Sequence, residues 1–348
     1  MTPNTSDLFL KSIIKEGLDG SIALIGFPYD IGLLRDSSKS LATGLDNGPD
    51  SLRRFLDKIG PIENAEYGVS LKDLKISDYG NIRIEGLFTL ETLLEKLKQK
   101  CLNVLKKNGL SLTLGGSSDC AFGALSGLME FKKENERVLA LEITNRMDFK
   151  ELYDGDKISA ESMTRKLIES NKSSISKGEL KVLYFGVDMG MMSEKDLDFL
   201  KENQDIMTIV PLKKIRKIQE IPMENTILAP ITQAGYEFQR IIKEYAKNYD
   251  YIHVSFKLEA VNVKGSFLYN LNFSNKKAAY CPGVSKPSVI GGLMAEEAKE
   301  IVLLAGIEKK VASLDFSDYN PKYEDFRTGL LLANLIYYFA MGFKLRKL

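Results

Sequence analysis

LSLTLGGSSDCAFGALSGLMEFKKENERVLALEITNRMDF, residues 110–149, decides how this chain folds. Leu110–Leu114 is short and apolar enough for a strand, and two glycines and two serines then break it. Ala121–Phe131 repeats apolar residues at three- and four-residue spacing, as a helix with one buried face must. A charged turn follows, and Val138–Ile143 is again a strand. Strand, helix and strand in succession are the unit of a mostly parallel sheet.

The same alternation extends in both directions. The pattern predicts further strands at Ile22–Gly26, Lys75–Tyr79, Val182–Phe185, Ile206–Val210, Tyr251–Phe256 and Val311–Phe316. Helical spacing covers Leu87–Lys107, Ser193–Glu202, Ala295–Ala305 and Arg327–Phe343, with Gly306 as a C-terminal stop for the third. The expectation is an eight-stranded, mainly parallel sheet with helices on both faces. No linker, repeat or low-complexity tract interrupts it, so residues 1–348 read as a single domain with 1–20 as an N-terminal extension.

Composition narrows the functions. With 48 basic and 47 acidic residues the net charge is +1, which gives no reason to expect a nucleic-acid or anionic-membrane partner. No apolar run approaches the length of a membrane span. Three widely spaced cysteines, Cys101, Cys120 and Cys281, argue for a reducing compartment and a cytoplasmic address. His253 is the only histidine, which excludes chemistry that needs two. Period-two alternation puts His253 on the face of Ser255 and Lys257 and deeper in the sheet, the place of a core residue. Cys120, at a helix start with no histidine beside it, reads as packing.

Ligands of open α/β sheets bind beyond the carboxyl ends of the strands. Those positions are Gly115–Asp119, Thr144–Asp148, Lys257–Glu259 and Ser317–Asn320. Arg146 and Asp148 share one strand face, as do Lys257 and Glu259, so crosswise ion pairs can form if their strands are neighbours. Such pairs stabilise a vestigial site, or the two cations hold an anionic ligand. Asp119, Asp315 and Asp318 form an acidic rim that reads as solvated carboxylates, a helix cap or a hard-cation site.

Several segments, in order, resemble the ureohydrolase superfamily of arginase, agmatinase and formimidoylglutamase. IGFPYDIGLLRD (25–36) and GLDNGPDSLRRFL (44–56) are similar to its opening strand, loop and Gly-Pro helix start. LTLGGSSD (112–119) resembles its Gly-Gly-Asp-His-Ser turn, LEITNRMDF (141–149) its Asp-Ala-His-x-Asp strand end, and HVSFKLEAVN (253–262) its Ser-Phe-Asp-x-Asp. The stretch from Ser313 to Phe339 looks most like formimidoylglutamase. YCPGVSKPSVIGGL (280–293) resembles the family's Pro-Gly loop at the rim of the site.

The resemblance implies an arginase-like three-layer α/β/α fold and a trimer or hexamer. It also implies two manganese ions, held in active relatives by two histidines and four aspartates. Carried over by position, those six fall on Ser118, Thr144, Arg146, Asp148, Lys257 and Glu259. Only Asp148 is kept, and Glu259 is a conservative replacement. Lys257 and Arg146 are cations that donate but never accept, so they exclude metal. Asp318 falls where relatives contact the substrate's cationic group. The expectation is a protein without cofactor, leaning away from catalysis, that acts as a structural, regulatory or ligand-binding subunit for a small amino-acid-like ligand. The rivals are an amidine hydrolase with an altered metal set and a metal-free enzyme using Lys257 as nucleophile or base; Lys257 and Asp148 are the candidate catalytic residues.

Overall fold

The computed structural model describes residues 9–36, 44–217, 229–261 and 291–346. Nine parallel strands form its main sheet: β1 Ile14–Glu16, β2 Ile22–Phe27, β3 Ile76–Asn81, β4 Leu110–Gly115, β5 Val138–Ile143, β6 Leu180–Val187, β7 Met207–Pro211, β8 Tyr251–Lys257 and β9 Val311–Ser317. Across the sheet they run 1-3-2-4-9-8-5-6-7. The expected eight are all present. The ninth, β1, lies in the stretch taken for an extension and pairs Ile14 with Ile76 and Glu16 with Asp78 at the sheet edge. Three residues carry too little pattern to announce a strand, and Leu10, fully buried just before it, anchors the segment.

Helices cover both faces. They are α1 Ile31–Arg35, α2 Gly48–Phe55, α3 Leu90–Lys106, α4 Cys120–Phe131, α5 Met163–Ser170, α6 Lys172–Ser176, α7 Glu194–Glu202, α8 Leu212–Ile215, α9 Gln233–Ala246, α10 Ala295–Ile307 and α11 Phe326–Leu345. Side chains of α3, α4, α5 and α7 pack with one face of the sheet in one apolar cluster. Those of α2, α9, α10 and α11 pack with the other face in a second. The result is three layers, α/β/α. β2, β4 and β5 are buried along their whole length, as parallel strands between two helical layers must be.

Two sequence readings need correction. Gly306 lies inside α10 and does not end it, because a side chain there would meet Phe339 O at 2.4 Å and the Cα of Gly342 at 2.9 Å. The glycine is required by the close crossing of α10 over α11. The 20 residues of α11 are also long and apolar enough to span a membrane by composition, contrary to the expectation that no run is. Of its most apolar window 67% is buried against the protein, which is what a core helix needs.

Candidate functional site

The carboxyl ends of β4, β9, β8 and β5 stand side by side at the middle of the sheet. Register fixes what faces what. Ser255 of β8 is level with Glu142 of β5 on one side and with Asp315 of β9 on the other. One step along, Lys257 is level with Ser317. Period-two alternation puts Glu142, Thr144, Ser255, Lys257, Asp315 and Ser317 on one face of the sheet.

Lys257 is fully buried. Its Nζ donates to Asp148 Oδ2 and lies 3.3 Å from Glu142 Oε2. Burial opposes its charge, but Asp148 and Glu142 outweigh burial and hold the amine well above its ordinary range. An ammonium has no lone pair, so the charged form of Lys257 can act as neither nucleophile nor base. Burial pushes the Glu142 carboxyl up, and the Lys257 charge offsets that only in part.

Arg146 makes the second bridge. Nη2 is 2.8 Å from Glu161 Oε1 and Nε is 3.4 Å from Glu259 Oε2. Burial again opposes the charge, and Glu259 and Glu161 outweigh it. Lys150 also reaches Glu161. The main chain is tied down as well: Asn145 Nδ2 donates to Glu259 O at 2.5 Å, and Thr144 Oγ1 lies 2.8 Å from Arg146 O and 3.2 Å from Glu259 Oε1. Ser118 Oγ donates to Ala160 O at 3.0 Å.

The structure thus joins Asp148 to Lys257 and Arg146 to Glu259. It does not leave the charges two against two. Glu142 and Glu161, which the sequence reading passed over, bring the carboxylates to four, against Lys257, Arg146 and the exposed Lys150 that reaches Glu161. Glu142 had a signal, a lone carboxylate in the apolar strand VLALEI, two residues before Thr144. Glu161 lies in a loop 13 residues beyond Asp148, and nothing local marks it.

The three aspartates do not form a solvated rim. Asp119, Asp315 and Asp318 are at most 1% exposed. Asp119 occupies the N-cap position of α4 without a capping bond and accepts instead from Ser117. Asp315 sits within β9, where Ser255 Oγ donates to Oδ1 at 3.1 Å. Asp318 takes a left-handed φ of 69° as its N–H reaches Gly116 O at 2.8 Å. His253 is fully buried with Nε2 3.0 Å from Asp315 Oδ2, outside hydrogen-bond geometry. Cys120 heads α4, yet burial first and Asp315 second push its thiol well up, the reverse of activation. Among the described residues no group of three or more His, Cys, Asp or Glu side chains is placed to hold a metal ion. Most of the loop at 280–293 lies outside the described residues.

The three-layer fold is shared with a solved arginase-superfamily protein from Trypanosoma cruzi, with a TM-score of 0.78 at 24% identity over 98% of this chain and 99% of that one. The model of the arginase family matches residues 20–264 and 276–342, and the chain belongs to that family. Within it the resemblance is to formimidoylglutamases. A formimidoylglutamase of Cupriavidus pinatubonensis is 22% identical over 338 residues, 96% of this chain and 90% of that protein. One of Staphylococcus haemolyticus is 21% identical over 92% of this chain and 86% of its own. Among solved structures, Trypanosoma cruzi formiminoglutamase with Mn²⁺ superposes with a TM-score of 0.77 at 24% identity, covering 97% of this chain and 99% of that one. Formimidoylglutamase from Bacillus subtilis gives 0.72 at 18% identity, over 99% and 94%.

Proposed function

We propose that this arginase-family protein is non-catalytic and takes no manganese, serving as a ligand-binding or regulatory subunit. One observation carries the reading: the buried Lys257 ammonium lies between Asp148 and Glu142, where a dication would be repelled. The rest of the donor set fits no better. Arg146 is a second cation, Ser118 gives its proton to a carbonyl, and a neutral hydroxyl is a poor ligand. Hydrolysis of an amidine by this fold needs water ionised near neutral pH, which a bound metal supplies.

A cavity near the site supports the ligand-binding part of this reading. A cavity of about 530 Å³, lined among others by Arg35, Lys150, Tyr153, Arg165, Lys195 and Asp196, adjoins a recess of about 130 Å³ that reaches Arg146. Its mixed charges suit a small zwitterion such as an amino acid. The test is elemental analysis of protein grown with excess manganese and dialysed, with turnover assays on arginine, agmatine and formiminoglutamate. Substoichiometric manganese and no turnover are expected. One manganese per chain, or turnover that grows with added Mn²⁺, refutes the reading.

A further inference from the structure

Carboxylates gathered out of water at neighbouring strand ends repel one another and lose hydration, so something positive has to stand among them. Glu142 and Asp148 are at most 2% exposed, and they flank the end of β5. The positive group that meets both comes from β8. Lys257 sends its whole stem through the interior, ranks among the largest fully buried side chains, and ends on these acids rather than in solvent. Lysine ordinarily buries its stem and keeps its ammonium wet. Here the head is the deeper requirement.

We infer that Lys257 is a tethered structural cation: its ammonium, clamped by Asp148 and Glu142, does at the ends of β5 and β8 what a bound ion would otherwise have to do. Arg146 repeats the device one step outward, between Glu259 and Glu161. Together they pin residues 145–161 onto the sheet from the protein's own charges. The inference rests on the reading above, since a site that takes manganese leaves no room for it, and it adds Glu142 as a working part. The charge, and not merely the volume of the side chain, is what the fold uses.

Chemical complementation separates charge from volume. Lys257→Ala removes three carbons and the amine, the equivalent of propylamine. The variant is expected to melt on the order of 5–10 °C below the parent. Propylammonium chloride at tens of millimolar returns part of that loss by binding the folded form, while equal concentrations of 1-propanol or sodium chloride do not, and the parent responds to none of them. Equal rescue by propanol and propylammonium overturns the inference, since packing alone would then be at stake. So does a Lys257→Ala protein that melts with the parent.

Should Lys257→Ala not fold, Lys257→Met is compared with Lys257→Met combined with Glu142→Gln and Asp148→Asn. The combined variant melts higher if the acids need the cation, and a combined variant that melts lower refutes the clamp. Manganese found in the parent sinks the non-catalytic reading; a manganese-free parent with propanol rescue sinks only this inference.

Discussion

Burial decides what the reactive side chains around the strand ends can do. Burial pushes the Cys101 thiol up to about 12, with hydrogen bonds from Thr113 and Ser111 offsetting only part of it, and Cys120 is also pushed well up. The thiolate is the reactive form, so at pH 8 both thiols stay protonated. Native protein at that pH should leave Cys101 and Cys120 unalkylated by iodoacetamide, with peptide mapping as the readout, and urea should expose both. The linkage has a sign. Burial raises both thiols above their ordinary range, so their contribution to stability is complete below the unfolded-state value and is lost as the pH climbs past it, for Cys101 toward about 12. Rapid native alkylation of Cys120 would mean that α4 opens. At this scale the sequence was only half legible. Asp148, Arg146, Lys257 and Glu259 were found because motif positions flagged them; Glu142 was legible as a lone carboxylate in an apolar strand but was passed over, and Glu161 entered through tertiary contact alone.

Elements were more legible than residues where their patterns were long. The strands expected in the interior appear within a few residues of their predicted ends, because alternating strand and helix with both faces covered leaves little choice of sheet. Short elements escaped for the opposite reason. β1 has three residues and owes its place to β3. α9, with 14 residues, is not short, and it went unread although Phe238, Ile241 and Ile242 on one of its faces are buried. Gly306 misled because a glycine marks a helix end and a close helix crossing equally well. If β1 belongs to the sheet, its anchor should behave as core. Leu10 is fully buried and packs into the same apolar cluster as Ile22, Leu52 and Ile76. Leu10→Ala should therefore cost about 2–4 kcal/mol in urea unfolding with an unchanged m-value. A loss below about 0.5 kcal/mol would return residues 9–16 to the status of an extension.

For the whole molecule the question is whether the scaffold still matches a metal-binding arginase once its own cations are removed. The set Ser118→His, Thr144→Asp, Arg146→His, Lys257→Asp and Glu259→Asp, with Asp148 untouched, restores the six side chains that the family resemblance places there. It deletes the buried Lys257 and the half-buried Arg146 and adds two carboxylates to a pocket that keeps Glu142 and Glu161. Without metal such a pocket is strongly negative and buried, a condition that costs several kcal/mol per uncompensated charge. The variant should therefore be poorly folded alone and should fold with Mn²⁺, its melting temperature rising with manganese concentration as linkage requires. Glu142→Gln added to the set should raise the metal-free melting temperature, because it removes the acid left behind by Lys257. The nine-stranded frame favours success, since β5 and β8 are adjacent and in register from Tyr251–Val138 to Phe256–Ile143. Differential scanning fluorimetry across a manganese titration reads the outcome. A variant that folds without metal and ignores Mn²⁺ would show that Ser118, tied to Ala160 in the turn before α4, or one of the two strand ends no longer stands where a ligand must, within the small errors that metal sites tolerate.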